Sequence, residues 1–200
     1  MFEQCRAVII AADPHQSRIL ETIAHNLGFG EVVDYGEGSS SAQKANVTFC
    51  FVADQMPDDA LLEVLDVVRT ERRNKLCYSP VILFTWDQTA AAAPRYARLG
   101  FDDVVSLPTG RDDLRDQLAR QLYEDQVYIE TTDYLGPDRR RMDRGAELRI
   151  AASPYTQVVF YRDPDRGIRI LGREQRGHRF RAQPDSSTHF MPKFFGERVI

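Results

Sequence analysis

Val47-Thr-Phe-Cys-Phe-Val-Ala-Asp-Gln-Met-Pro-Asp-Asp59 is the stretch on which the fold turns. Val47–Ala53 runs apolar or β-branched without alternation and stops at a polar loop, which is how a strand buried on both faces reads. Behind the loop, Asp58–Arg69 sets Leu61, Leu62, Leu65 and Val68 at helical spacing. A buried strand, a loop and an amphipathic helix in that order are one unit of a parallel sheet.

The unit repeats on either side. Towards the N-terminus, Arg6–Ala12 reads as a strand, and Asp13 and Pro14 suit the cap and first turn of a helix. Ile19, Leu20, Ile23, Ala24 and Leu27 keep helical spacing until Gly28 and Gly30 stop it. Glu31–Asp34 is a brief strand, and the polar stretch Gly36–Ala45 holds Gly38 and three serines that weaken any helix. Towards the C-terminus, Pro80–Thr85 is a strand, and Pro94 should start or kink a helix within Asp87–Leu99. Asp103–Ser106 is a fifth short strand, and Arg111–Tyr123 closes the series with Leu114, Leu118 and Leu122. Five alternations predict an α/β fold, a doubly wound five-stranded parallel sheet with helices on both faces. Ligands of such sheets sit beyond the strands' C-terminal ends, here the loops after Ile10, Val52, Leu83 and Val105.

Those loops carry a family likeness. Val8-Ile-Ile-Ala-Ala-Asp-Pro14, Leu27-Gly-Phe29, Asp54-Gln-Met-Pro57, Leu62-Glu-Val-Leu65, Pro80-Val-Ile-Leu-Phe-Thr85 and Gly100-Phe-Asp-Asp-Val-Val-Ser-Leu-Pro108 stand in order and at the right intervals. About residues 5–124 thus resemble response-regulator receiver domains, the CheY-like family of two-component signalling, with its flavodoxin-like fold. The resemblance implies a pocket in which two adjacent acids and an acceptor aspartate hold Mg²⁺. The acceptor takes a phosphoryl group, and a lysine and a Thr or Ser contact its oxygens. In this chain the acidic pair falls on Ala11 and Ala12, the acceptor on Ala53 and the lysine on Leu107, while Thr85 stands at the hydroxyl position and Pro108 where a cis bond is usual. Methyl groups neither ligate Mg²⁺ nor attack phosphorus, so no catalytic residue, metal or cofactor is expected. Asp13 and Asp54 each lie one position away from a family acid; Asp54 reads either as a solvated loop acid or as an acceptor re-aimed by a bulge. Asp13 reads as the helix cap. Thr85 is either a switch residue or a plain strand-end hydroxyl, and Trp86 either fills the vacated pocket or belongs to an interaction surface.

Composition sets the outer bounds. The hydrophobic and charged shares, 42% and 28%, are those of a globular protein without a bilayer-length apolar run or a leader, and we expect a cytoplasmic location. Cys5, Cys50 and Cys77 are odd in number and lie in or beside apolar runs, as buried thiols would. Charge is uneven: residues 1–136 hold 12 Lys and Arg against 22 Asp and Glu, residues 137–200 hold 14 against 8.

Beyond the receiver-like part (5–124) lies an arginine-rich extension (125–200). Gln126–Gly136 is apolar enough to dock as an extended strip anchored by Tyr128, Ile129, Tyr134 and Leu135. Residues 157–171 read as a β-hairpin, and much of 172–200 as disordered until bound. Arg139, Arg140, Arg141 and Arg144 form a cluster suited to anion or partner binding, through a cyclic dinucleotide, nucleic acid or an acidic protein face, or a solvated linker. Nucleic acid is the weakest of these, since no helix-turn-helix, zinc spacing or RNA-binding strand motif follows. The four histidines show no ligand spacing. The expectation is a phosphorylation-independent pseudo-receiver, not an enzyme and not membrane-inserted, serving as an adaptor or regulator for a protein partner such as a histidine kinase, another receiver or a motor component. A true response regulator phosphorylated at Asp54 and a cyclic-dinucleotide sensor are the alternatives.

Overall fold

The computed structural model describes residues 1–37, 45–139 and 154–176. Five parallel strands, β1 (Cys5–Ile10), β2 (Glu31–Asp34), β3 (Val47–Ala53), β4 (Val81–Thr85) and β5 (Asp103–Ser106), form one sheet in the order β2-β1-β3-β4-β5. This is the flavodoxin-like order, with its switch point between β1 and β3. Among the described residues four helices cover it: α1 (Pro14–Leu27), α2 (Asp58–Thr70), α3 (Ala92–Leu99) and α4 (Arg111–Ala119). Asp13 caps α1 by accepting the His15 N–H at 3.0 Å, and Gly28 ends it in the left-handed region at φ 82°. Pro94 sits in the first turn of α3, which therefore begins at Ala92 rather than near Asp87.

The central strands bury both faces, so the core has two layers. On one side Phe2, Phe29, Phe49, Phe51 and Phe84 stack and tilt against each other with α1 and α4 above them. On the other, Val52, Leu83 and Phe101 meet Leu61 and Leu65 of α2 and Tyr96 of α3. Cys5, Cys50 and Cys77 are free and buried, and burial pushes the Cys5 and Cys50 thiols up to about 12.

The extension is more ordered than its sequence suggests. Gln126–Gly136 is not an isolated strip: it forms β6 (Asp125–Glu130) and β7 (Leu135–Pro137). The hairpin is longer than 157–171, with β8 (Tyr155–Asp163) and β9 (Gly167–Arg176) extending it at both ends. β8 pairs with β6, giving a four-stranded antiparallel sheet in the order β7-β6-β8-β9. A lone hairpin has too little to bury, and pairing with β6 resolves that. Residues 172–176 are strand rather than disordered tail, while 177–200 lie outside the described residues. The change of charge near Gly136 falls inside β7, not at the junction of the two sheets.

The second sheet docks under the N-terminal ends of β3, β4 and β5, at the end of the parallel sheet away from the loops that follow its strands. Asn46, just before β3, donates to the carbonyls of Pro164 and Asp165 at 3.1 and 2.8 Å. Lys75 Nζ donates to Ile168 O at 2.7 Å, and Tyr123 N to Arg162 O at 3.2 Å. Lys75 and Tyr123 are, among the described residues, the non-glycine residues with positive φ, both at 61°. The apolar face of the sheet (Tyr128, Leu135, Val158, Phe160, Ile168) closes over Cys77 and Tyr78. No helix among the described residues is long and apolar enough to cross a membrane.

Candidate functional site

β1, β3, β4 and β5 bring Ala11, Ala12, Asp13, Ala53, Asp54, Thr85 and Leu107 to one end of the parallel sheet, at or just past the strand ends. Ala53 is wholly buried in the apolar layer with Phe51, Phe84 and Leu107. Ala11 packs against the same layer, and so does the half-buried indole of Trp86. Leu107 is 8% exposed and joined to Pro108 by a cis peptide bond.

Asp54 is not the solvated loop acid that its position suggests. The residue is half-buried, and its Oδ2 accepts a short hydrogen bond from the Thr85 hydroxyl and a longer one, 3.3 Å, from the Trp86 N–H. Thr85 Oγ1 in turn accepts from the Asp87 N–H at 3.0 Å. Asp54 Oδ1 is buried and has no hydrogen-bond partner. Asp87 is held below the usual carboxylate range by the Thr89 backbone N–H that it accepts. Gln88 reaches over to donate to Leu107 O at 3.2 Å.

The donor set does not fit Mg²⁺. A hard dication of that size wants near-octahedral oxygen coordination, with at least one or two carboxylates. Of the nearby acids, Asp54 offers one uncommitted oxygen, Asp13 uses an oxygen to cap α1, and methyl groups stand at 11, 12 and 53. Among the described residues no group of three or more His, Cys, Asp or Glu could hold a metal ion.

Arg139, the first member of the arginine cluster, turns inward: its Nη2 donates to Phe101 O at 2.6 Å and to Asp102 O at 2.8 Å. Arg140, Arg141 and Arg144 lie outside the described residues.

The most developed polar constellation is one that sequence reading missed, at the junction of the two sheets. Asp102, just before β5, has a side chain 2% exposed. Its Oδ2 accepts from Arg69 Nη2 at 2.6 Å and Val81 N at 2.7 Å. Its Oδ1 accepts from Arg162 Nη2 at 3.1 Å and, in a short bond, from the Tyr128 hydroxyl. Arg162 is 0% exposed, and all five of its N–H groups find acceptors. Beyond Asp102 these are Tyr78 O at 2.8 Å, Gln121 Oε1 at 2.7 Å, Gln121 O at 3.3 Å and Tyr128 Oη at 2.8 Å. Arg69 also donates to Cys77 O and Ser79 O, at 3.1 and 2.7 Å. Burial alone would raise the Asp102 carboxyl; Arg69 and then Arg162 beside it outweigh that and hold it below the usual range. Burial pushes the Tyr128 phenol up.

The face formed by α3, β5 and α4 is open to solvent along its helices, with Asp112 and Asp113 exposed in the first turn of α4. The outer edge of β5 is closed to strand addition at Val104: its N–H is bonded by Asp103 Oδ1 at 2.9 Å and its carbonyl by Gln117 Nε2 at 3.2 Å.

No protein-family model matches this chain, and no curated protein matches it. Solved structures do. A pilus assembly-related protein from Burkholderia pseudomallei is 14% identical over 60% of this chain and 91% of its own, with a TM-score of 0.45. A CheY-like response regulator receiver domain protein from Methanospirillum hungatei is 17% identical over 58% and 91%, TM-score 0.41. A signal receiver domain of a two-component histidine kinase from Clostridium thermocellum is 16% identical over 60% and 98%, TM-score 0.44.

Proposed function

We propose that this protein is a pseudo-receiver: a receiver-type platform that regulates or adapts two-component signalling in bacteria by binding a protein partner, without accepting a phosphoryl group and without enzymatic activity. The observation that carries this reading is the occupancy of the pocket. Alanines stand where two metal-binding acids and the acceptor would be, a leucine stands for the lysine, and the neighbouring Asp54 carboxylate is tied to Thr85 and the Trp86 N–H. With its chemistry gone, what the platform retains is surface. The α3–β5–α4 face is suited to a histidine kinase, another receiver or a motor component, and a strand-blocked β5 edge favours docking through helices.

One observation favours the second reading, a phosphoacceptor at Asp54. Its carboxylate does lie in the pocket beside Thr85, with Oδ1 buried and unpaired. Incubating the full chain with Mg²⁺ and acetyl phosphate, then weighing it intact, separates the two. No adduct is expected; a stoichiometric phosphoryl adduct that disappears in Asp54→Asn overturns the pseudo-receiver. The cyclic-dinucleotide reading has less behind it, because Arg139 is already engaged with two backbone carbonyls.

A further inference from the structure

Where the second sheet meets the first, the turn Asp133–Leu135 closes against the second half of α2 and the end of α3, leaving a groove of about 220 Å³. Leu62, Leu65, Leu99, Tyr134 and Leu135 give it an apolar lining. Leu62 is 47% exposed there, on a helix whose other apolar residues mostly turn into the core. The volume is below the ~300 Å³ at which small-molecule and cofactor sites begin. It suits an inserted side chain.

The polar groups of the groove are unbalanced. Asp66 and Asp133 are exposed at it, and among the described residues neither has a cation within ion-pairing distance. Arg69 is the basic residue of the lining, but its Nη atoms are spent on Asp102, Cys77 O and Ser79 O. Its Nε–H is buried and has no acceptor. The groove's described residues therefore present an apolar floor and a negative rim with no cation beside it. From these we infer that it docks a short basic amphipathic segment of a partner protein: an aliphatic side chain enters, and Lys or Arg of the same segment pairs with Asp66 and Asp133. This surface is distinct from the degenerate pocket, and the inference holds whether or not Asp54 can be phosphorylated.

The probe is a fluorescein-labelled helical peptide of leucine and lysine in amphipathic order, about four turns long, with a leucine–glutamate peptide as its counterpart. Titrated against the full chain by anisotropy, the lysine peptide should bind at micromolar concentration and the glutamate peptide should not. Leu62→Ser, and Asp66→Asn with Asp133→Asn, should each weaken binding roughly tenfold or more. The pair Glu124→Gln with Asp125→Asn makes the same charge change at the far end of β6 and should leave it unaltered. No binding, or equal weakening by both acidic pairs, overturns the inference, since the second result means attraction to overall charge alone. A Leu62→Cys variant carrying a photo-cross-linker locates the contact, the native thiols being buried. Cross-linking to the peptide supports the proposal. Cross-linking instead to residues 177–200 of the same chain, or to a second copy, shows the groove already covered from within and overturns it.

Discussion

Arg162 of β8 donates to Asp102, the residue before β5, at 3.1 Å, with both side chains withdrawn from water. The two residues stand 60 positions apart, and the bond crosses the junction between two sheets of different kinds. Arg69 completes the arrangement from α2, its guanidinium 5.0 Å from the ring centre of Tyr128.

Breaking this set should be far more costly than its net worth suggests. A buried pair stripped of one partner leaves an uncompensated charge, about 3–5 kcal/mol. Asp102→Ala is expected to lower unfolding free energy by that order in a urea titration, whereas Arg115→Ala, which removes exposed pairs with Asp112 and Asp116, should change it by about 0.5 kcal/mol or less. Equal effects would contradict the role given to the junction.

Acid should act through the same carboxyl. Asp102 is held below the usual range in the fold, while the unfolded chain titrates near ~3.9. Its stabilising contribution is therefore complete above the unfolded value and lost as pH falls through the lower folded one. Asp103 next to it is raised by burial and works in the opposite sense. Comparison of wild type with Asp102→Asn over an acid pH series isolates the first effect: the variant's urea midpoint should depend less on pH. Parallel curves would refute it.

The pocket has a built-in reporter, since Trp86 is the single tryptophan. Millimolar Mg²⁺ should leave its fluorescence unchanged. Ala53→Asp should not restore a metal site but place an unpaired carboxylate among Phe51, Phe84 and Leu107, with a loss of about 3 kcal/mol or more. A variant of native stability that responds to Mg²⁺ would show the position to be open.

Asn46→Ala removes two side-chain bonds to the β8–β9 turn, at Pro164 and Asp165. About 1–2 kcal/mol of local stability should go with them. Faster amide hydrogen exchange around residues 163–168, with protection of β3 unaltered, is the expected signature.

The parallel sheet was legible because each strand's buried run and each helix's leucine spacing act locally. Val47–Ala53, Asp103–Ser106 and the Asp13 cap read directly. The second sheet was legible only in part. Val158 and Phe160 alternate as a strand should, but β6 shows its place only when paired with β8, a contact that no local pattern specifies. Of the two readings of Asp54, the solvated-loop one fails because residue type does not specify the strand-end geometry that turns the carboxylate onto Thr85. The junction left faint signals. Arg69 follows Leu61 and Leu65 on the inner face of α2, and Arg162 continues the inward series of Val158 and Phe160. A charge on an apolar stripe is a clue that something answers it, but sequence does not say what.

The four donors around one carboxylate come from α2, the start of β4, β6 and β8, so the C-terminal sheet is not a module that could be transplanted. A foreign host would need an acid at the mouth of its last strand, an arginine one helix away and bare carbonyls on the segment before the fourth strand. Parted from the parallel sheet, the C-terminal sheet would carry Arg162 inward with no acid to meet it, whereas Asp102 would keep Arg69.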